Sequence, residues 1–231
     1  MRVLAIDTAL AACSAAVLDT AVGGVSAGIV ASESLPMVRG HAEALIPLIA
    51  RVMKAAGMTF PDLDRLVVTT GPGSFTGLRV GIAAARGLGV ATKIPVVGVS
   101  TLSAYAAPYL GMDDKNPVIA AIDARHEHVY LQIFGPGGRT LVAPRLAPLS
   151  AAVRAASDAP ARIVGSAARA VADGLSATDA VPVTVDGRDA PDIGWVAQIG
   201  AVAPEASAPP KPQYLRAPDA QPQNAASLPR R

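Results

Sequence analysis

Cysteine is almost absent from this chain of 231 residues: Cys13 is the only one. One thiol excludes a disulfide framework and a thiolate zinc ribbon, and it fits a reducing cytosol. Aromatic residues amount to 3% of the sequence and the formal net charge is only +2, so no basic groove interleaved with stacking rings is visible. Charged residues make up 16%, against roughly 25% in ordinary soluble domains. Either part of the surface is covered by a partner or the figure reflects the alanine-rich composition. A membrane span is missing too. Residues 94–112 carry no charge, but Pro95, Gly98 and Pro108 break them into a strand, a turn and a short helix. Leu10-Ala11-Ala12-Cys13 has the form of a lipoprotein cleavage box, yet Asp7 precedes it and no apolar signal core does. The 51% apolar content rules out disorder over most of the length.

The elements that are present have a definite order. Residues 2–7, 14–18 and 25–31 read as strands, the last two joined by Gly23-Gly24 in hairpin style. A helix over 41–57 follows, then a strand at 65–70, a glycine loop, a helix over 76–92 and a strand at 95–99. Three antiparallel-looking strands followed by helix, strand, helix and strand is the order of a ribonuclease-H-like lobe. The second half repeats it in reduced form, with strands at 118–123, 129–134, 140–146, 162–164 and 181–185. Its helices are expected at 149–156, 166–173 and 192–202. The expected division is an N-terminal lobe over 1–106, a smaller C-terminal lobe over 107–216 and a disordered, proline-rich tail over 217–231.

The most distinctive segment is Gly71-Pro72-Gly73-Ser74-Phe75-Thr76-Gly77-Leu78-Arg79. Gly71, Gly73, Ser74 and Thr76 form a loop between strand and helix that could sit near an anion or nucleotide. The bland alternative is a tight turn with Ser74 as N-cap. It is not a Walker A loop, because no Gly-Lys-Ser/Thr follows. The next helix carries a small-residue ridge at four-residue spacing, Gly77, Gly81, Ala85 and Gly89. Interior glycines cost about 1 kcal/mol each relative to alanine, so close packing must recover the loss, on this chain's own sheet or on a neighbour's helix. In the helix over 41–57, Leu45, Ile46, Ile49, Val52 and Met53 help form an apolar arc wider than the roughly 100° stripe that covers one sheet. The excess is expected either to be sandwiched internally or to be buried by a partner.

Other chemistry is thin. His126-Glu127-His128 alternates as a strand would and has no third ligand nearby. No Gly-x-Ser-x-Gly occurs. Asp7 at a strand end stands where actin-like and sugar-kinase ATPases hold a metal–nucleotide complex, but Asp7-Thr8-Ala9 lacks the glycine that admits phosphate there. No residue is assigned a catalytic or metal-ligating role.

These segments together resemble the TsaB (YeaZ) family. The likeness runs from Asp7-Thr8 and His41–Pro47 through Gly71–Arg79 and Pro95–Leu102 to Asp123-Ala124-Arg125, Val129-Tyr130 and Pro212–Arg216. It implies an α/β fold, a degenerate actin-like ATPase (ASKHA, ribonuclease-H-like) architecture of two lobes with mixed sheets flanked by helices. It also implies a non-catalytic scaffold of the complex that transfers threonylcarbamoyl to N6 of adenosine 37 in tRNAs reading codons that begin with A. The catalytic relative TsaD has a His-x-x-x-His metal motif whose histidines fall here on Thr101 and Tyr105. Implied partners are a TsaD-type catalytic subunit and a TsaE-type ATPase, with a homodimer when the chain is alone and tRNA contact through the complex. No cofactor is implied for the chain itself, ATP being used by the wider complex, and the implied location is cytoplasmic. The competing readings are a stand-alone metallopeptidase-like or small-kinase enzyme and a homodimeric regulatory protein.

Overall fold

A computed structural model describes residues 1–22, 28–112, 115–205 and 207–216. The expected tail 217–231, the Gly23-Gly24 turn and the start of the third expected strand lie outside the described residues.

The first sheet has the order β3-β2-β1-β4-β5, built from Arg2–Asp7 (β1), Ala12–Asp19 (β2), Ile29–Pro36 (β3), Arg65–Gly71 (β4) and Val96–Ser100 (β5). β1, β2 and β3 are antiparallel neighbours, and β4 and β5 run parallel to β1. The second sheet comprises Val118–Asp123 (β6), His128–Phe134 (β7), Thr140–Pro148 (β8), Arg162–Val164 (β9) and Thr184–Asp186 (β10). Its order, β10-β9-β6-β7-β8, repeats the first sheet strand for strand, parallel and antiparallel pairs included. This is the duplicated ribonuclease-H-like architecture expected from the sequence.

Each sheet is covered on both faces, which explains why β1, β2 and β6 read as nearly unbroken apolar runs. His41–Ala55 (α1) and Phe75–Thr92 (α2) cover one face of the first sheet, packing on Leu4, Ile6, Val17, Leu66 and Val68. Leu149–Ser157 (α4) and Ala168–Gly174 (α5) do the same for the second, on Ile119, Leu131 and Ile163. The inner faces are covered by exchange. Thr101–Ala106 (α3) follows the first sheet in the chain, yet its Leu102, Tyr105 and Ala106 pack on Val118, Ala120, Ile122 and Phe134 of the second. Ile193–Val202 (α6) follows the second sheet, yet its Val196, Ala197 and Ala201 pack on Val3, Ala5, Ala16 and Val67 of the first. Gly200 makes that approach possible, since a Cβ there would collide with the side chain of Val67. Arg65 at the start of β4 then closes the helix end. Its guanidinium donates to the carbonyls of Gly200 (2.8 Å), Ala201 (3.0 Å) and Ala203 (2.7 Å), satisfying terminal acceptors with a cation at the negative end of the helix dipole. No helix among the described residues is long and apolar enough to cross a membrane.

Candidate functional site

Asp7 ends β1 and is fully buried. One carboxylate oxygen accepts the Thr69 hydroxyl and the Ala9 amide, while the other has no hydrogen-bond partner among the described residues. Burial pushes the Asp7 carboxyl above its ordinary range, against the lowering effect of those bonds. Burial and the nearby Asp7 also push the Cys13 thiol up to about 11, which makes it an inert core thiol.

The glycine loop lies over this position. Ser74 caps α2, its hydroxyl accepting the Gly77 amide at 3.3 Å. The Ser74 amide donates to the Ala9 carbonyl at 2.7 Å, and the Thr8 hydroxyl donates to the Gly77 carbonyl at 2.7 Å. A Cβ on Gly73 would strike the Ala9 carbonyl, one on Gly77 the Thr8 carbonyl, and one on Gly81 the Thr8 hydroxyl. The N-terminus of α2 is thus locked onto the turn after β1, with two of its amides already engaged. Gly71 is buried behind this contact, while Gly73, Ser74 and Thr76 face the cleft between the lobes.

This geometry corrects the partner-facing expectation for most of its residues. Gly77, Gly81 and Ala85 are buried against this chain's own β1–β2 turn and first sheet, and a Cβ on Gly89 would meet Val96 of β5. The ridge therefore packs inside the lobe. Leu45, Ile49, Val52 and Met53 are likewise at most 5% exposed, in the first core. Their wide arc is covered inside the lobe, in one core cluster with residues of β1, β2 and β4 and with Leu78, Ile82 and Ala85 of α2. Ile46 alone of that set points outward, at 54% exposure. On α2, Val90 is 83% exposed.

The remaining candidates separate. Arg125, His126 and Glu127 form a left-handed turn with φ of 63°, 51° and 57°, so the expected strand alternation at 126–128 is replaced by a turn preceding β7. The His128 ring contacts the His126 carbonyl at 2.7 Å. No group of three potential metal ligands occurs among the described residues. Thr101 and Tyr105, where the resemblance places the relative's histidines, are both buried. The Tyr105 hydroxyl donates to the Arg188 carbonyl at 2.9 Å, and burial pushes its pKa up, so it is held as a neutral donor.

The cleft itself encloses about 780 Å³ between the β1–β2 turn, the glycine loop, the β6–β7 turn and the last described segment. That segment clasps both lobes. The Gln213 amide donates to the Thr70 carbonyl at 2.8 Å, and the Arg216 guanidinium donates to the Ala124 carbonyl at 3.0 Å. Between them Tyr214 meets Phe75, ring centroids 5.1 Å apart, while Arg79 lies 3.7 Å over the Phe75 ring and donates to the Tyr214 hydroxyl at 3.0 Å. Sequence reasoning missed this cluster because Tyr214 lies 135 residues from Arg79. The available signal was two aromatics set among polar and glycine-rich neighbours, where a core would not place them.

The family model described as "TsaD: tRNA N6-adenosine threonylcarbamoyltransferase" matches residues 26–187. The tRNA threonylcarbamoyladenosine biosynthesis protein TsaB of Escherichia coli K12 is 40% identical over 130 residues, covering 56% of this chain and 53% of that protein. The match therefore spans about half of that relative. An uncharacterized protein of Mycobacterium tuberculosis H37Rv is 37% identical over 216 residues, covering 89% of this chain and 92% of its own. Among solved structures, YeaZ from Pseudomonas aeruginosa superposes with a TM-score of 0.73 at 26% identity, covering 93% of this chain and 99% of that one. With the duplicated lobes, the exchanged helices and the locked glycine loop, these similarities establish that the chain belongs to the TsaB (YeaZ) family, within the wider TsaD-type group.

Proposed function

We propose that this chain is the accessory subunit of a tRNA threonylcarbamoyladenosine-forming complex, a scaffold and activator for a TsaD-type catalytic subunit working with a TsaE-type ATPase. The complex would place threonylcarbamoyl on N6 of adenosine 37 in tRNAs reading codons that begin with A. ATP would be used by the wider assembly rather than by this chain. Two features support a non-catalytic role. The glycine loop is packed against the β1–β2 turn over Asp7, and the positions aligned with the relative's metal histidines carry Thr101 and Tyr105, whose neutral hydroxyls are poor substitutes for an imidazole pair.

The observation that carries the partner reading is the outer surface of α1 and α2. The two helices lie on the same face of the first sheet, and they expose Ile46 at 54% and Val90 at 83% beside the small residues Ala50, Ala83 and Gly87. Apolar anchors among small side chains let a second helical pair approach closely. The partner would be the catalytic subunit, or a second copy of this chain when it is alone. Ile46→Glu and Val90→Glu should leave the melting temperature unchanged, since both side chains already face water. They should weaken association and abolish modification in a reconstituted system. Folded variants that still associate and support modification would place the interface elsewhere.

A further inference from the structure

The sequence holds three phenylalanines, four tyrosines and one tryptophan. Three of these eight, Phe75, Tyr130 and Tyr214, line the cleft between the lobes. Phe75 and Tyr214 are each 44% exposed although a chain so poor in aromatics could have buried them. They are also pinned, because Arg79 stacks on one ring and bonds the hydroxyl of the other. Rings held in this way stack on a planar ligand with little loss of side-chain freedom. Across the cleft, Arg125 stands in a turn whose three consecutive residues are left-handed. Such backbone is sparsely populated by non-glycine residues and recurs at ligand-contacting sites. Hydroxyls and an amide for base or ribose edges come from Ser74, Thr76 and Gln213.

Charge selects among planar anions. Two carboxylates, Asp123 and Asp189, share the cleft with Arg125 and Arg216. They oppose the concentrated negative charge of a free nucleoside triphosphate, whereas an internal nucleotide of RNA carries one charge per phosphodiester. From this we infer that the cleft mouth is a contact site for an unpaired RNA nucleotide, whose base stacks on the Phe75–Tyr214 pair and whose flanking phosphate meets Arg125. The chemistry rests on the cleft; the identity of the RNA as tRNA rests on the functional reading above.

The test uses the full chain, alone and with its catalytic partner, and a fluorescein-labelled RNA stem-loop read by anisotropy. The same strand annealed into a full duplex and unlabelled ATP serve as competitors. The stem-loop should bind better than the duplex, and ATP should compete poorly. Tyr214→Ala should weaken stem-loop binding by roughly 5- to 150-fold while the chain stays folded, as loss of one stacking partner does. Tyr214→Phe should keep most of it. Arg125→Ala should lower the slope of log K against log salt by about 0.7, one phosphate contact to a single strand. The inference is overturned if stem-loop and duplex bind alike, if ATP competes as well as RNA, or if Tyr214→Ala binds RNA like the wild type. It is also overturned if Tyr214→Ala loses the protein partner and keeps the RNA, which would make the rings a protein contact. Association of the wild-type chain with its partner, measured in parallel, separates the two failures. RNA binding lost with association intact sinks this inference alone. Association absent with RNA binding intact sinks only the subunit reading.

Discussion

Two glycines of α2 should respond to alanine with opposite signs, although both are interior helical positions. Gly87 faces open space, with nothing near the position of an added Cβ. Alanine there removes the conformational penalty of glycine and should stabilise the protein by about 0.5–1 kcal/mol. Gly81 faces the Thr8 hydroxyl, closer than any real Cβ contact permits, and Val68 at 3.5 Å. Thr8 is 1% exposed and stiff at its branched Cβ, and its hydroxyl donates to the Gly77 carbonyl at 2.7 Å. Gly81→Ala therefore forces a buried side chain to move and breaks that bond, an overpacking cost of about 1–3 kcal/mol set against the same helical gain. The gain cancels between the two variants, so their difference isolates the packing. Gly87→Ala should be the more stable by about 1–3 kcal/mol. For a chain of this size that separates the melting temperatures by roughly 2–12 °C. Urea unfolding of the pair, with m-values checked for equality, measures the difference directly. Equal midpoints would refute the claim that α2 is locked to the turn after β1.

The other expectations concern buried charge. Asp7 has a raised pKa in the folded state, so ionising it opposes folding: stability is lost as pH rises from the unfolded carboxylate value through the folded one. Asp7→Asn should therefore melt higher than the wild type at pH 7, with the gap closing as pH falls to about 4 and below; a gap that does not change with pH would count against the assignment. Arg65→Met removes a buried guanidinium from three carbonyls at the end of α6 and should cost about 1.5–3 kcal/mol in urea unfolding; a loss below about half of that would mean water replaces the cap.

Several strands were legible because their runs had a single physical solution, whereas the strands expected at 25–31 and 181–185 lie at Ile29–Pro36 and Thr184–Asp186. Runs such as Val3–Ile6 and Val118–Ile122 are apolar on both faces, and only a sheet covered on both sides buries them. Ser74 announced the start of α2, and its hydroxyl does cap the helix. The exchange of α3 and α6 between sheets was not legible. Both helices are short, and α6 is apolar all round, with buried residues from Ile193 to Ala201, so its pattern names no particular face. The arc of α1 misled for a related reason. Periodicity counts apolar residues but does not reveal how many walls surround them. The second wall is α2, whose Leu78, Ile82 and Ala85 share that core cluster and lie outside any projection of α1. Of the five, Leu45, Ile46, Ile49, Val52 and Met53, only Ile46 is left exposed, and sequence had no means to single it out.

The same limit explains why the glycine motif reads ambiguously, and the structure shows what two of its amides engage. A phosphate cradle and a helix–turn lock both need glycines where a strand gives way to a helix, because both bring another backbone or an anion close to the chain. They differ in where the amides point. Here the Ser74 amide goes to the Ala9 carbonyl, the Gly77 amide goes to Ser74, and Gly73 and Gly77 press on the carbonyls of Ala9 and Thr8. What approaches these glycines is this chain's own turn after β1, and a larger residue at either position would push α2 off the sheet. The lock also fixes Phe75 as the first residue of α2. Its ring is thereby held at the cleft mouth, where Tyr214 from the end of the chain can reach it. The motif thus contributes twice, by fixing α2 to Thr8 and Ala9 and by presenting an aromatic ring beside the cleft.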